Sequence, residues 1–383
     1  MSARYVTNPM MELSLRVTTY TRSGGRRQFT ISRREQPGVF DVVADAARRP
    51  RAAVDVRNVT KKYLRLLLRA GIIVEESNLS PDVHFACALE ERPFDPRASY
   101  TLNRSLWLQR SERLPRAMER LLTHTAAIAS GGQMLWVRDP VTQFVYPLHV
   151  SSHEARQLEQ LLRTGRVSSI AASLRGALVD ARVLLDRATI ALERKNFEAQ
   201  LVACRQELRD RRYTVIRNVL PRFFLDAVRR YLRAFDAAGG LHKTFDGQEA
   251  LRDWRYNEQV SRFIHPQLAR MLNRALVDKI KASYAYLAIY RSGARLKKHT
   301  DRPQCRWNLS LQLDSEPAVR PKDAWPIYLE IANRSHEVRL DVGDCVVYSG
   351  TDIPHWRRHL TRAGSSTLCF FHFVPRGFRG PLE

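Results

Sequence analysis

The sequence predicts an α+β fold: a mainly helical N-terminal region, then a C-terminal double-stranded β-helix (jelly roll) with supporting helices. Three observations predict it. From Tyr284 onward, short runs of alternating apolar and polar residues recur with turn residues between them, which is the period-two pattern of strands. Before that point, apolar residues recur mostly at helical spacing. Helices first and many short antiparallel strands afterwards suit a closed pair of sheets with helices packed outside.

Composition narrows the class. A chain of 383 residues has room for two or three domains, and 44% hydrophobic content with six Trp describes a folded protein. No apolar run approaches the roughly 18 residues of a membrane span, and Met-Ser-Ala-Arg-Tyr-Val-Thr lacks the order of a signal peptide. Five scattered cysteines (Cys87, Cys204, Cys305, Cys345, Cys369) contain no Cys-x-x-Cys pair. They read as reduced thiols of a cytoplasmic protein, not a disulfide frame or a zinc site. The net charge of +24 raises an anionic partner such as nucleic acid. The excess is spread evenly along the chain, however, so composition explains it equally well.

In chain order, 11–17 reads as a strand and Gly24-Gly25-Arg-Arg as a turn, followed by helix over 40–73 and a strand after Gly71. Runs around Tyr100–Gln109 and Met134–Arg138 read as strands, with Asp139-Pro140 as a turn. Ser151-Ser-His-Glu154 is a capping box opening a helix that Gly165 stops. Further helix is expected over 167–174, a strand near 177–185, and a charged bridging helix over 180–211. The two halves read as duplicated winged-helix-like units, giving segments 1–95, 96–206 and 207–383. After residue 207, a strand at 213–220 and a helix opened by Pro221 and ended by Gly239-Gly240 lead to a helix over 266–280. Strands follow at 284–290, 306–313, 327–331, 337–340, 344–348, 356–360 and 367–374.

The chemistry is concentrated in Tyr290-Arg-Ser-Gly-Ala-Arg-Leu-Lys-Lys-His299-Thr-Asp301 and in Gly350-Thr-Asp-Ile-Pro-His355-Trp-Arg. His299 and Asp301 are two apart, so on a strand their side chains share a face. With His355 they form a candidate two-histidine, one-carboxylate metal set, the face of an octahedron used by mononuclear non-haem Fe(II). The bland reading is that such a triplet arises by chance among 11 histidines.

These residues resemble the prolyl-4-hydroxylase-like branch of the 2-oxoglutarate/Fe(II) dioxygenases. The match is Tyr290-x-x-Gly293 leading to His299-x-Asp301, then Gly343-Asp344 before a strand, then His355 near the last strands. The resemblance implies iron held by His299, Asp301 and His355, with 2-oxoglutarate as co-substrate and O2 as oxidant. It implies oxidative decarboxylation of 2-oxoglutarate to succinate and CO2, coupled to hydroxylation of an unactivated C–H. Tyr290 falls where the family places a tyrosine on the far carboxylate of 2-oxoglutarate. The chain departs from the family where a Lys or Arg should follow on the last strand, for Gly364-Ser-Ser-Thr367 holds no cation. Arg357 and Arg362 are the candidate replacements, and His372 either lines the pocket or is a core histidine. The N-terminal part resembles PqqD-like modules, which would make a peptide or protein the substrate. A plain scaffold packed on the catalytic domain, a nucleic-acid substrate and a non-catalytic binding barrel are the other readings.

Overall fold

The computed structural model describes residues 14–20, 26–32, 36–48, 57, 59–70, 83–109, 133–243 and 245–382. The chain divides into two compact units, residues 1–80 and 81–383, where the sequence suggested three segments.

In the first unit, β1 (Ser14–Tyr20) and β2 (Arg26–Ser32) form an antiparallel hairpin, with Ser14 opposite Ser32. Two helices follow, α1 (Pro37–Arg48) and α2 (Lys61–Ala70). Ile31, Val39, Phe40, Val43, Val59 and Leu67 make its small core. The single helical stretch expected over 40–73 is therefore two helices, and the strand expected after Gly71 lies outside the described residues.

The second unit opens with β3 (Tyr100–Leu102) and a meander of β4 (Leu106–Gln109), β5 (Gln133–Arg138) and β6 (Val145–Val150). Helix α3 (Ser152–Thr164) carries the expected capping box: the Ser151 hydroxyl accepts from Glu154 N, and Glu154 accepts from Ser151 N. Gly165 ends it at φ 67°, a left-handed conformation that glycine adopts without a Cβ penalty. The next helix, α4 (Ala172–Asp180), starts later than expected, because 167–169 forms only a 3-10 turn. The strand β7 (Leu184–Asp186) is correspondingly shorter and pairs with β3. The long helix α5 (Arg187–Asp210) follows directly, capped by Asp186. The described elements of the two N-terminal segments thus come in different orders and do not repeat one another, so the winged-helix duplication is not seen.

The remainder comprises β8 (Tyr213–Ile216), α6 (Arg222–Ala237), β9 (Arg252–Tyr256), α7 (Gln259–Ala275), β10 (Ile280–Arg291) and β11 (Leu296–His299). Then come β12 (Trp307–Glu316), β13 (Ile327–Ile331), β14 (Arg334–Val338), β15 (Cys345–Tyr348), β16 (His355–Arg357) and β17 (Ser365–Pro375). Two antiparallel sheets result, ordered β8-β15-β12-β17-β10-β9 and β11-β16-β13-β14. From β10 to β17 the chain passes back and forth between them, which is the winding of the double-stranded β-helix. Helix α7 begins before Pro266, not at it, because the buried Glu258 carboxylate accepts from Val260 N and Ser261 N. Pro266 then forgoes one main-chain bond inside the helix.

Strand alternation gives the six-stranded sheet two chemically different faces. Ala285, Leu287, Ile289, Leu309 and Phe371 face α6 and α7 and join a core that continues through Phe224 and Phe263 to Trp136 and Leu158. That core crosses position 206 without a break, so residues 96–206 are packed into the barrel's own support. Tyr284, Tyr286, Ala288, Tyr290 and Phe370 face the other way, into the barrel mouth. All five cysteines are free and buried, and no helix among the described residues is long and apolar enough to cross a membrane.

Candidate metal centre

The register of two strands assembles the site. His299, at the end of β11, is paired directly with His355, at the start of β16, and their ring centroids lie 4.3 Å apart. Asp301 follows β11 on the same side and is fixed by its own amide, which donates to Gly350 O at 2.9 Å. Asp301 Oδ1 lies 3.7 Å from His299 Nε2 and 3.8 Å from His355 Nε2. One donor atom from each residue lies within 4.8 Å of the others.

The other ring nitrogens settle the tautomers. His299 Nδ1 donates to Lys297 O at 2.8 Å and His355 Nδ1 to Ile353 O at 3.0 Å. Both Nε2 lone pairs are therefore left pointing at the shared space, as histidine ligation requires. Burial pushes the His355 imidazole down to about 4. His299 is lowered by burial and by His355 beside it. Neutral rings at pH 7 are the ligating form. Burial raises Asp301 to about 6, against the pull of His299 and Asn308. Two neutral imidazoles and a carboxylate converging on one space fit a divalent metal.

The carboxylate is oriented as well as placed. Asn308 Nδ2 on β12 donates to Asp301 Oδ2 at 3.2 Å and to the Tyr348 hydroxyl at 2.9 Å. One oxygen is thus held by the protein and the other is left for the metal. Gly350 makes this close approach possible. A Cβ there would stand 2.4 Å from Asp301 Oδ2 and 2.5 Å from Cys305 O, well inside contact distance.

Beside the metal set, Tyr290 and Arg357 lie buried near one another. Tyr290 is fully buried, and its hydroxyl accepts from Arg252 Nη1 at 2.8 Å, which leaves its proton free to donate. Arg357, two residues beyond His355 on β16, is 2% exposed. One of its nitrogens donates to Trp325 O at 2.8 Å, while Nε and Nη2 have no partner among the described residues. Its guanidinium stacks over Trp325, whose ring also meets Tyr290 edge-on at 4.9 Å. Burial pulls its pKa down to about 10, so it stays charged at neutral pH. A buried cation with two unsatisfied N–H groups is costly unless something anionic occupies the space before it.

Arg362 goes elsewhere: it is exposed and lines a separate cavity with Asp323 and Arg229. His372 lines the metal pocket, with Nδ1 unpartnered and its carbonyl accepting from His265 Nε2 at 2.9 Å. Arg252 and Gly350 act on partners 38 and 49 residues along the chain, Tyr290 and Asp301, and Asn308 reaches Asp301 only through the fold of β12. Arg252 on β9 is ion-paired to Asp246 and bonded to Gln248 as well as Tyr290. The pocket holding metal ligands, Tyr290 and Arg252 has a volume of about 390 Å³ and opens beside Tyr256, Arg302 and Gln248.

No protein-family model matches the chain, and no curated protein matches it. Among solved structures it is similar to a prolyl-4-hydroxylase from Pseudomonas putida, at 20% identity and a TM-score of 0.38 over 46% of this chain and 100% of that one. It is also similar to an oxidoreductase of the 2OG-Fe(II) oxygenase family from Burkholderia pseudomallei (12% identity, TM-score 0.36, 45% and 89% covered). A third is a Trichoplax adhaerens prolyl hydroxylase in complex with a hypoxia-inducible-factor peptide fragment (12%, 0.37, 48% and 92%).

Proposed function

We propose that the protein is a 2-oxoglutarate- and Fe(II)-dependent oxygenase that hydroxylates an amino-acid side chain in a peptide or protein. The observation that carries it is the pairing of a three-ligand metal set with a buried, half-satisfied arginine further inside the same barrel. His299, Asp301 and His355 would hold the metal, and three protein ligands would leave coordination positions for co-substrate and O2. Bound iron supplies the oxidising power for attack on an unactivated C–H.

The chain's own residues do the rest. Arg357 and the Tyr290 hydroxyl bind the distal carboxylate of 2-oxoglutarate, and Arg252 holds that tyrosine in place. Asn308 fixes Asp301 so that a single oxygen faces the metal. Arg362, the other candidate anchor, is set aside because it is exposed and lines a separate cavity. Tyr284, Tyr286 and Phe370 wall the mouth and exclude water from the reacting face. With metal and co-substrate in place, a cavity of about 390 Å³ leaves space on the scale of one side chain. A residue presented from a larger chain suits that opening. The buried reduced thiols suit a cytoplasmic setting.

The test is turnover of 2-oxoglutarate to succinate by the full chain with Fe(II) under air. Iron-dependent succinate formation that disappears in His299→Ala supports the assignment. Equal succinate formation in the variant, or none from the native chain with any peptide pool, removes it.

A further inference from the structure

A second recess lies in the second unit, built by elements that contribute nothing to the metal site. Its volume is about 800 Å³. One wall is a single stripe of helix α5: Arg187, Ile190, Ala191, Arg194 and Glu198 stand at the i, i+3, i+4, i+7 spacing of one helical face. The other wall is the run from Thr101 to Ser105, joined by Arg138 at the end of β5 and by Gln143. Arg274, near the end of α7, closes one end.

Five arginines (Arg104, Arg138, Arg187, Arg194, Arg274) thus line it against one carboxylate, Glu198, which is ion-paired to Arg274. Arg104, Arg187 and Arg194 have no ion-pair partner among the described residues. Other arginines of the unit are tied to acids. Arg229 and Arg233 share Asp314, Arg291 holds Asp236 and Asp253, and Arg182 holds Glu193. An adjoining cavity of about 290 Å³ shares Arg138, Gln143 and Arg274 and adds Arg270. The charge of Arg270 is disfavoured by burial and by Arg138 beside it. Positive charge is thus gathered from four separate elements around one paired carboxylate among the described residues, an arrangement that favours an anion.

We propose that this groove binds the phosphate backbone of a single-stranded nucleic acid. Arg187 and Arg194 are two helical turns, about 10 Å, apart, so one compact anion cannot satisfy both. Guanidinium forks suit phosphate oxygens bidentately, and the intervening Thr101, Asn103, Ser105 and Gln143 add neutral hydrogen-bonding groups. No aromatic ring among the described residues lines the recess, so the proposed affinity comes from phosphates and not from base stacking, and is independent of sequence. The same lack of an aromatic anchor disfavours a peptide.

The experiment is fluorescence anisotropy of the full chain, without metal or 2-oxoglutarate, against a labelled mixed-sequence RNA of about 20 nucleotides, longer than one groove needs. Arg187→Ala/Arg194→Ala should weaken binding at least tenfold at moderate salt. It should also flatten the slope of log K against log salt by about 1.4, for two lost contacts to a single strand. Arg156→Ala/Arg163→Ala, on the exposed face of α3, controls for the diffuse positive charge and should change affinity less than about twofold. Equal weakening by both pairs overturns the proposal, as does no weakening by the groove pair. So does an acidic peptide of matched charge that binds as tightly as the RNA. Metal and co-substrate are absent, so the outcome is independent of the oxygenase assignment.

Discussion

Replacing Arg357 by Met separates a functional arginine from a structural one, because the two roles predict opposite changes in stability. Met keeps the apolar stem but removes a buried cation that makes one hydrogen bond and leaves two nitrogens unpartnered. Each unsatisfied buried polar group costs roughly 1–3 kcal/mol. Removing two recovers about 2–6 kcal/mol, while losing the bond to Trp325 O costs about 1.5–3 kcal/mol. Taking the middle of each range, about 4 against about 2, the net expectation is stabilisation of the ligand-free protein by about 2 kcal/mol. At about 2 °C per kcal/mol for a unit of this size, the Tm rises by a few degrees. Loss of a charge-assisted contact to a buried carboxylate costs about 3 kcal/mol, which is a roughly hundredfold weaker Kd. Thermal melts without metal and calorimetric titration of 2-oxoglutarate into the Mn(II)-loaded protein read both numbers. A variant that melts lower and binds 2-oxoglutarate unchanged would show that Arg357 is a structural cation and refute the anion site.

Three further outcomes follow from the geometry. Gly350→Ala drives a methyl group against Asp301 Oδ2 and Cys305 O. It should lower Mn(II) affinity at least tenfold, measured by equilibrium dialysis, while the far-UV spectrum stays native. Asp301 has its folded pKa raised by burial to about 6, above the unfolded value, so in the metal-free protein its ionisation destabilises the fold as pH rises through about 4 to 6. Asp301→Asn should therefore melt with the wild type near pH 4 and above it at pH 7 without metal; a constant gap across that range would contradict the burial argument. Asp314 accepts from Arg229 and Arg233 at 2.6–3.0 Å, and their bonds outweigh its burial to lower its carboxyl. Asp314→Asn strips two arginines of their partner and should cost about 2–4 kcal/mol in urea unfolding; a loss below 1 kcal/mol would mean solvent already screens the pair.

The barrel was legible because its signals are local. Period-two alternation located β10 through β17 to within a few residues, and 327–331 matches β13 at both ends. His299 and Asp301 come together although β11 ends at His299, because the Asp301 amide bonds Gly350 O just past the strand and keeps its side chain on that side. Edges between classes were harder. Helix α7 was placed seven residues late because Pro266 reads as a start, while the true cap is Glu258, a residue with no obvious capping partner in sequence. Strand β9 was missed because Arg252-Asp-Trp-Arg-Tyr256 turns charged residues to both sides, and only its pairing with β10 makes it a strand. The same strand delivers Arg252 to Tyr290, so missing it hid one of the anion-site residues. The two candidate cations were distinguishable only in three dimensions. Arg357 follows the strand inward and Arg362 sits past its end, where the chain has turned to the surface.

The most direct measurement is anaerobic reconstitution of the full chain with Fe(II) and 2-oxoglutarate, followed in the visible region. Chelation of Fe(II) by the keto acid gives a weak metal-to-ligand charge-transfer band. The account predicts that band in the native protein, its loss in His355→Ala, and its recovery only at much higher 2-oxoglutarate in Arg357→Met. Iron binding without the band would contradict the co-substrate site, and no iron binding would contradict the metal centre itself.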